Sequence, residues 1–195
     1  MTERRGEIAR KTLETDVHVT LVLDGAGYNE VATGIGFLDH LLGTLAKHAR
    51  FDLTLRCKGD LYIDDHHTAE DCALALGQAL DQALGERRGI MRFGSAYAPL
   101  DEALSRAVVD LSGRPFGSVD LGLTREKVGE LSCEMIPHVV ASLATAARAC
   151  VHVDVLKGHN DHHRAESAFK ALALALRQAV ARDGTAAIPS TKGVL

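Results

Sequence analysis

Apolar and polar positions alternate along six short segments, a pattern typical of strands that bury one face. The predicted strands cover residues 17–23, 28–33, 51–57, 105–111, 116–121 and 151–156. The glycine-containing stretch 24–27 separates the first two strands, and we interpret it as the turn of a hairpin. The last segment, 184–195, carries proline and glycine without apolar periodicity and predicts a loop.

Four further segments have the apolar spacing of helices that pack on a sheet. The predicted helices cover residues 37–49, 73–84, 132–150 and 168–181. Each half of the chain therefore ends in the order helix, strand, helix after its antiparallel strands. This order predicts an α+β fold in which each of two sheets is covered on one face by a helix pair, so that the sheets flank a helical layer.

The chain contains an internal repeat. The sequence DHHTAE at 65–70 returns as DHHRAE at 161–166, and both copies lead into a helix rich in alanine and leucine. His40 and His138 precede the two copies by similar distances. We predict one compact domain over 1–195, built of two pseudo-repeats (about 1–90 and 91–184) and a tail at 185–195.

Composition and charge exclude several classes of protein. The chain is 46% hydrophobic and 25% charged, and its net charge of −4 gives no basic footprint for nucleic acid. No apolar run is long enough to span a bilayer, and the charged N-terminal segment lacks the apolar core of a signal peptide. Four scattered cysteines without a CxxC pair indicate reduced thiols. We therefore expect a cytoplasmic protein that binds neither membranes nor nucleic acid.

The repeated HHxxE motif has the composition of a metal site. At the start of a helix, His66 and His67 lie four and three residues before Glu70, so each shares a helix face with it. A single pair of this kind is usually a solvated turn, but two copies in register favour metal ligation. The two motifs, with His40 and His138, supply six imidazoles and two carboxylates, about four ligands for each of two ions. Such ligands suit Mn(II), Fe(II) or Zn(II).

Adjacent histidines in each motif differ by about 100° around the helix axis, so they point in different directions. One ion cannot take both. The sequence therefore predicts that a complete site draws ligands from another subunit, and that metal binding and oligomerisation are coupled.

Other candidates carry less information alone. The stretch 33–36, TGIG, starts like a dinucleotide-binding loop, but the third glycine is missing. Basic side chains at Arg92, Arg114, Lys170 and Lys192 are suited to an anion pocket, although each by itself is typical of surface charge. Glu14 carries no signal of its own.

Five motifs together resemble the imidazoleglycerol-phosphate dehydratase family of histidine biosynthesis. They are GIGFLDH at 34–40, DDHHTAED at 64–71, SGRP at 112–115, NDHHRAESAFK at 160–170 and STKG at 190–193. The resemblance runs from about residue 10 to the C-terminus, without a departure at a functional position. The chain lacks the phosphatase domain of some members, so we expect a monofunctional form.

The resemblance implies a duplicated fold similar to the second domain of ribosomal protein S5, with two manganese ions per active site. It also implies a homo-oligomer of twenty-four subunits with active sites between subunits. The implied metal ligands are His40, His66, His67, Glu70, His138, His162, His163 and Glu166. The implied phosphate ligands are Arg92, Arg114, Lys170, Ser190 and Lys192, and Glu14 matches a glutamate that contacts substrate.

The reaction implied is the dehydration of D-erythro-imidazole-glycerol phosphate to imidazole acetol phosphate, through a metal-stabilised imidazolate and a diazafulvene-like intermediate. Glu14 and Glu166 are the two candidates for moving the C2 proton, and we favour Glu14. Lys192 on the tail is expected to close over the substrate. Two alternatives stay open: a di-metal phosphatase that uses the same ligands, and a metal-storage shell without catalysis.

Overall fold

The computed structural model describes residues 3–195, which form ten strands and four helices. The strands are β1 (Arg5–Lys11), β2 (Thr15–Val22), β3 (Asn29–Ala32), β4 (Asp52–Gly59), β5 (Phe93–Leu100), β6 (Ala103–Asp110), β7 (Phe116–Asp120), β8 (Lys127–Val128), β9 (Leu131–Ser132) and β10 (Cys150–Lys157). The helices are α1 (Gly36–Ala49), α2 (His66–Leu84), α3 (Met135–Ala146) and α4 (Asp161–Val180).

Two four-stranded sheets share one topology. Their strand orders are β1-β2-β4-β3 and β5-β6-β10-β7, so the same connectivity occurs in each half of the chain. In both sheets the first three strands are antiparallel and the last pair is parallel. The short β8–β9 hairpin is an addition to the second half. The predicted α+β architecture of two related sheets is confirmed.

The four helices form the layer between the sheets. The first sheet is covered by α1 and α2, and the second by α3 and α4. Across the layer, α1 packs on α4 and α2 packs on α3. The α2–α3 contact is close, because a Cβ at Gly77 would lie 2.6 Å from the carbonyl oxygen of Leu143. Small residues on these helices therefore bring elements of the two halves together.

The predicted hairpin at 24–27 is wrong. β2 already has β1 on one side and β4 on the other, so it has no free edge for β3. The chain instead crosses over, and β3 joins β4 in parallel. Oδ1 of Asp52 fixes this crossover by accepting hydrogen bonds from the backbone N–H groups of Ala26, Gly27 and Tyr28 at 2.9, 3.0 and 2.9 Å.

Sequence periodicity missed β1 and β5 because glycine replaces an apolar residue on their inner faces. A Cβ at Gly6 would lie 1.9 Å from the carbonyl oxygen of Ala79, and one at Gly94 would lie 2.0 Å from that of Ala175. Both strands thus lie against a helix backbone. The predicted helix 132–150 is also shorter, since α3 covers only Met135–Ala146. Within the described part of the chain, no helix is long and apolar enough to cross a membrane.

Candidate metal centre

One cluster of metal-type ligands joins α1 to α4. His162 and Glu166 lie one turn apart near the start of α4, and His40 reaches them from α1. Nε2 of His40 is 3.0 Å from Oε2 of Glu166, and Nε2 of His162 is 3.2 Å from the same oxygen. The three residues can offer donor atoms that all lie within 4.8 Å of one another.

A second cluster joins α2 to α3 in the same way. His66 and Glu70 lie one turn apart at the start of α2, and His138 approaches from α3. Nε2 of His138 is 2.7 Å from Oε1 of Glu70, and the His66 and His138 ring centroids are 5.2 Å apart. These donor atoms also lie within 4.8 Å of one another.

Each cluster takes residues from both halves of the chain. His40, from the first half, joins the motif of the second, and His138, from the second half, joins the motif of the first. The reason is the packing of α1 on α4 and of α2 on α3. The order of the motifs along the sequence does not reveal this exchange.

His67 and His163 contact Asp60 and Glu102 rather than the glutamates of the clusters, which fits the divergence expected for adjacent histidines. The ring planes of His66 and His67 are inclined by 83°, and those of His162 and His163 by 88°. Within residues 3–195, neither His67 nor His163 belongs to a three-residue cluster. The eight predicted ligands therefore divide into two groups of three and two separate histidines.

The aspartates that precede the paired histidines, Asp65 and Asp161, hydrogen-bond the starts of α2 and α4 to the segment 121–134. Sequence analysis did not predict this role. Oδ1 of Asp65 accepts a hydrogen bond from the Ser132 hydroxyl at 2.9 Å. Oδ2 of the buried Asp161 accepts from the backbone N–H groups of Thr124 and Arg125 at 2.9 and 2.8 Å. The only available signal was the repetition of aspartate before HH.

Hydrogen bonds from neighbouring side chains keep Glu166 ionised. Burial raises the pKa of its carboxyl, but hydrogen bonds from Lys170 and His40 outweigh burial and lower the pKa to about 2. Nζ of Lys170 lies 2.8 Å from Oε1 of Glu166. In the opposite sense, hydrogen bonds to Asp60 and Glu102 raise the pKa values of His67 and His163. Hydrogen bonds to charged side chains therefore shift the pKa values of three predicted metal ligands, Glu166, His67 and His163.

The predicted phosphate ligands are divided between two places. Lys170 lies beside Glu166, whereas Arg92 and the tail lie near the other end of α4. The Arg92 guanidinium donates to Asp110 at 2.7 and 3.1 Å and to the carbonyl oxygen of Pro189 at 2.8 Å. That last contact brings Arg92 next to Ser190.

Arg114 and Lys192 lie on the same side of the molecule as Arg92. Arg114 is exposed and follows Gly113, where a Cβ would lie 2.9 Å from the carbonyl carbon of Leu195. The backbone N–H of Lys192 donates to the Ser190 hydroxyl at 3.2 Å. The tail therefore gathers Arg114, Ser190 and Lys192 near Arg92.

The tail region is distant from the cluster that contains Glu166 within one chain. The Arg92 N–H donates to the carbonyl of Ala179, thirteen residues beyond Glu166 along α4. At 1.5 Å per residue this separation is about 20 Å. One chain thus brings Lys170 to the cluster that contains Glu166, but it does not bring Arg92 to that cluster.

Glu14 lies in the turn between β1 and β2 beside His67. Its carboxylate oxygen is 3.6 Å from Nε2 of His67, and half of its side chain is exposed (51%). Glu14 does not belong to either cluster. The structure therefore separates the two predicted proton-transfer groups, since Glu166 is held inside a cluster and Glu14 borders one separate histidine.

A comparison with known proteins identifies the family. The family model described as imidazoleglycerol-phosphate dehydratase matches residues 33–176, most of the chain. The chain belongs to the imidazoleglycerol-phosphate dehydratase family. It is 53% identical to the Kluyveromyces lactis imidazoleglycerol-phosphate dehydratase, over 99% of this chain and 98% of that protein. The relative from Phytophthora nicotianae is 64% identical over 98% of this chain, which spans only 42% of that protein's length.

Solved structures of dehydratase family members have the same fold. The Pyrococcus furiosus structure is 36% identical with a TM-score of 0.83, over 96% of this chain and 100% of that one. The Staphylococcus aureus structure is 32% identical with a TM-score of 0.82, over 91% and 99% of the two chains. The internally duplicated fold expected from the resemblance is thereby confirmed.

The ligand chemistry of this family member fits a divalent metal. Each cluster offers two imidazoles and one carboxylate without a thiolate, a set that suits Mn(II), Fe(II) or Zn(II). Gly36 is the first residue of α1, and Gly34 precedes the helix. There, the Thr33 N–H and hydroxyl donate to Oδ1 of Asp39 at 2.8 and 2.6 Å. A dinucleotide loop is therefore not supported.

Proposed function

We propose that this chain is a cytoplasmic lyase that dehydrates D-erythro-imidazole-glycerol phosphate to imidazole acetol phosphate in L-histidine biosynthesis. The observation that carries the proposal is the pair of clusters of two histidines and one glutamate in a member of this family. The four cysteines are free thiols in the described structure, which fits a reducing compartment.

Two manganese ions per active site would be held by the two clusters together with His67 and His163. Each cluster of three would then gain one further histidine, giving four protein ligands per ion. Bound divalent ions supply positive charge that favours the deprotonated imidazole ring of the substrate. A site with two metal positions therefore suits a substrate whose imidazole ring offers two nitrogen atoms.

Glu14 is the proposed group that takes the C2 proton. Its carboxylate is half exposed, and one of its oxygens lies 3.6 Å from Nε2 of His67. Glu166 is less free, because its oxygens contact Lys170, His40 and His162. In this proposal Glu166 serves as a ligand, and the C3 hydroxyl leaves through a diazafulvene-like form of the substrate.

The phosphate group would be bound by the basic and hydroxyl side chains predicted for it, which are Arg92, Arg114, Lys170, Ser190 and Lys192. Since Arg92 lies about 20 Å along α4 from Glu166, which Lys170 contacts, a complete site needs residues from more than one copy. This separation supports assembly into a homo-oligomer, for which we propose twenty-four subunits. Gripping the phosphate away from the reacting carbons would fix their orientation.

The decisive experiment is turnover of imidazole-glycerol phosphate by chelator-stripped protein before and after Mn(II) is added. Ketone formation is followed by absorbance, and free phosphate is assayed in the same sample. We expect ketone only after manganese is restored, without release of phosphate. Phosphate in place of ketone would instead identify a di-metal phosphatase, and binding of manganese without turnover would identify a storage shell.

A further inference from the structure

Two carboxylates hold the histidines that lie outside the clusters. Oδ2 of Asp60 is 2.9 Å from Nδ1 of His67, and Oε2 of Glu102 is 2.7 Å from Nδ1 of His163. A carboxylate accepts the Nδ1–H of a neutral imidazole, which leaves the lone pair on Nε2. Both separate histidines are therefore oriented through the same ring nitrogen.

The setting of Asp60 indicates that its carboxylate serves His67. The side chain is only 10% exposed, so its charge is costly to bury. Among the residues that the structure describes, its Oδ1 has no hydrogen-bond partner, and its Oδ2 contacts only His67. A carboxylate that mainly stabilised the fold would be expected to satisfy both oxygens.

Glu102 performs the same task from a different place in the fold. It lies immediately before β6, as Glu14 lies immediately before β2, whereas Asp60 follows β4. In the second half the residue before the strand therefore holds the histidine. In the first half Asp60, rather than Glu14, holds the histidine His67. Glu14 therefore remains available for other chemistry.

We propose that Asp60 and Glu102 are positioning residues that fix the tautomer and the direction of His67 and His163. Each holds Nδ1 so that Nε2 is presented for metal ligation outside the histidine's own cluster. This inference rests on the proposed function, because it needs His67 and His163 to be ligands. Partners of this kind typically change metal affinity by about 10- to 100-fold when they are removed.

Manganese titration of the metal-free full-length protein tests the inference without using activity. Free Mn(II) is measured by its electron paramagnetic resonance signal during addition of MnCl₂. We expect Asp60→Ala to weaken manganese binding by about 10- to 100-fold and Asp60→Asn to weaken it less, because the amide oxygen still accepts Nδ1–H. Glu102→Gln, which keeps the backbone contacts at His159 and Asn160, is expected to weaken binding moderately.

A double-variant comparison shows whether Asp60 acts through His67. Asp60→Ala should have no further effect on manganese affinity in a His67→Ala background, since the histidine that it orients is gone. Equal weakening in both backgrounds, or unchanged affinity in the wild-type background, would overturn the inference. The matched controls are Asp16→Asn and Glu86→Gln, exposed carboxylates that pair with Lys11 and Arg88, and both should bind manganese normally.

Two further measurements distinguish the positioning role from a purely structural role of Asp60 and from an incorrect ligand set. Thermal unfolding in chelator should be unchanged by Asp60→Asn, and a marked loss of stability would show a structural role instead. If His67→Ala itself binds manganese normally, the proposed ligand set fails. If His67→Ala weakens binding while Asp60→Ala does not, the ligand set stands and only the positioning role is lost.

Discussion

Nε2 of His40 lies 3.0 Å from Oε2 of Glu166, although the two residues are 126 positions apart in the chain. The contact joins the helix-borne histidine of one half to the HHxxE motif of the other. Its counterpart joins His138 to Glu70 at 2.7 Å. Each candidate metal position is thus shared between the two halves, so neither half alone provides one.

The cross-half pairing predicts which combinations of variants lose which ion. His40→Ala should remove about one of the two proposed manganese ions per chain, and adding Glu166→Ala should remove no more. His40→Ala combined with Glu70→Ala should remove both ions, because it damages both clusters. Metal content after desalting gives the measurement. The same loss in both double variants would contradict the pairing, and His18→Ala, on the exposed sheet face, is the control.

Removal of metal should also change the assembly. His67 and His163 lie outside the clusters of their own chain, so their ligation by ions on neighbouring copies would link subunits. We expect chelator-treated protein to have a lower molar mass by light scattering and to recover it when manganese is added. An unchanged mass in chelator would show that assembly does not depend on metal.

Arg114→Ala should affect substrate binding while metal stays bound. Arg114 is exposed beside the tail and is not one of the predicted metal ligands, and a guanidinium–phosphate contact is worth about 1.5–3 kcal/mol. We therefore expect KM to rise by roughly 10- to 100-fold with manganese content unchanged. Arg88→Ala, at an exposed pair with Glu86, serves as the control. Normal kinetics would remove Arg114 from the phosphate site.

Truncation after Ile188 should abolish turnover and leave the fold intact. The tail follows α4, and its removal takes away Ser190, Lys192 and the Pro189 carbonyl that accepts from Arg92. Circular dichroism should be unchanged while ketone formation is lost. A truncation after Gly193, which keeps Ser190 and Lys192, provides the comparison. Full activity of the shorter chain would exclude closure of the tail over substrate.

Asp161→Ala should destabilise the metal-free protein. The carboxylate is 1% exposed, and its loss leaves the backbone N–H groups of Thr124 and Arg125 without their acceptor. We expect the free energy of unfolding to fall by about 2 to 4 kcal/mol in urea titrations. Asp183→Ala removes a similar but exposed contact to Thr185 and should cost less than about 0.5 kcal/mol. Equal effects would argue against an anchoring role for Asp161.

Much of the fold could be predicted because the pattern of apolar and polar residues reflects which side chains are buried. The central strands β2, β4, β6 and β10 alternate clearly, since they carry apolar side chains on one face. The edge strands β1 and β5 do not, because Gly6 and Gly94 replace an apolar residue to admit a helix backbone. The error at 24–27 arose because local turn preference says nothing about which strand edges are free.

The amino-acid sequence alone establishes the repeat, the residue types of the predicted ligands, and the divergence of adjacent histidines. These follow from composition and from the fixed geometry of a helix. Assembly of the core brings His40 to Glu166, places Asp60 and Glu102 against the separate histidines, and leaves Arg92 at the opposite end of α4 from Glu166. These contacts depend on how α1 packs on α4 and on where the loops end. Residues that are distant in the chain meet only when the whole core is assembled.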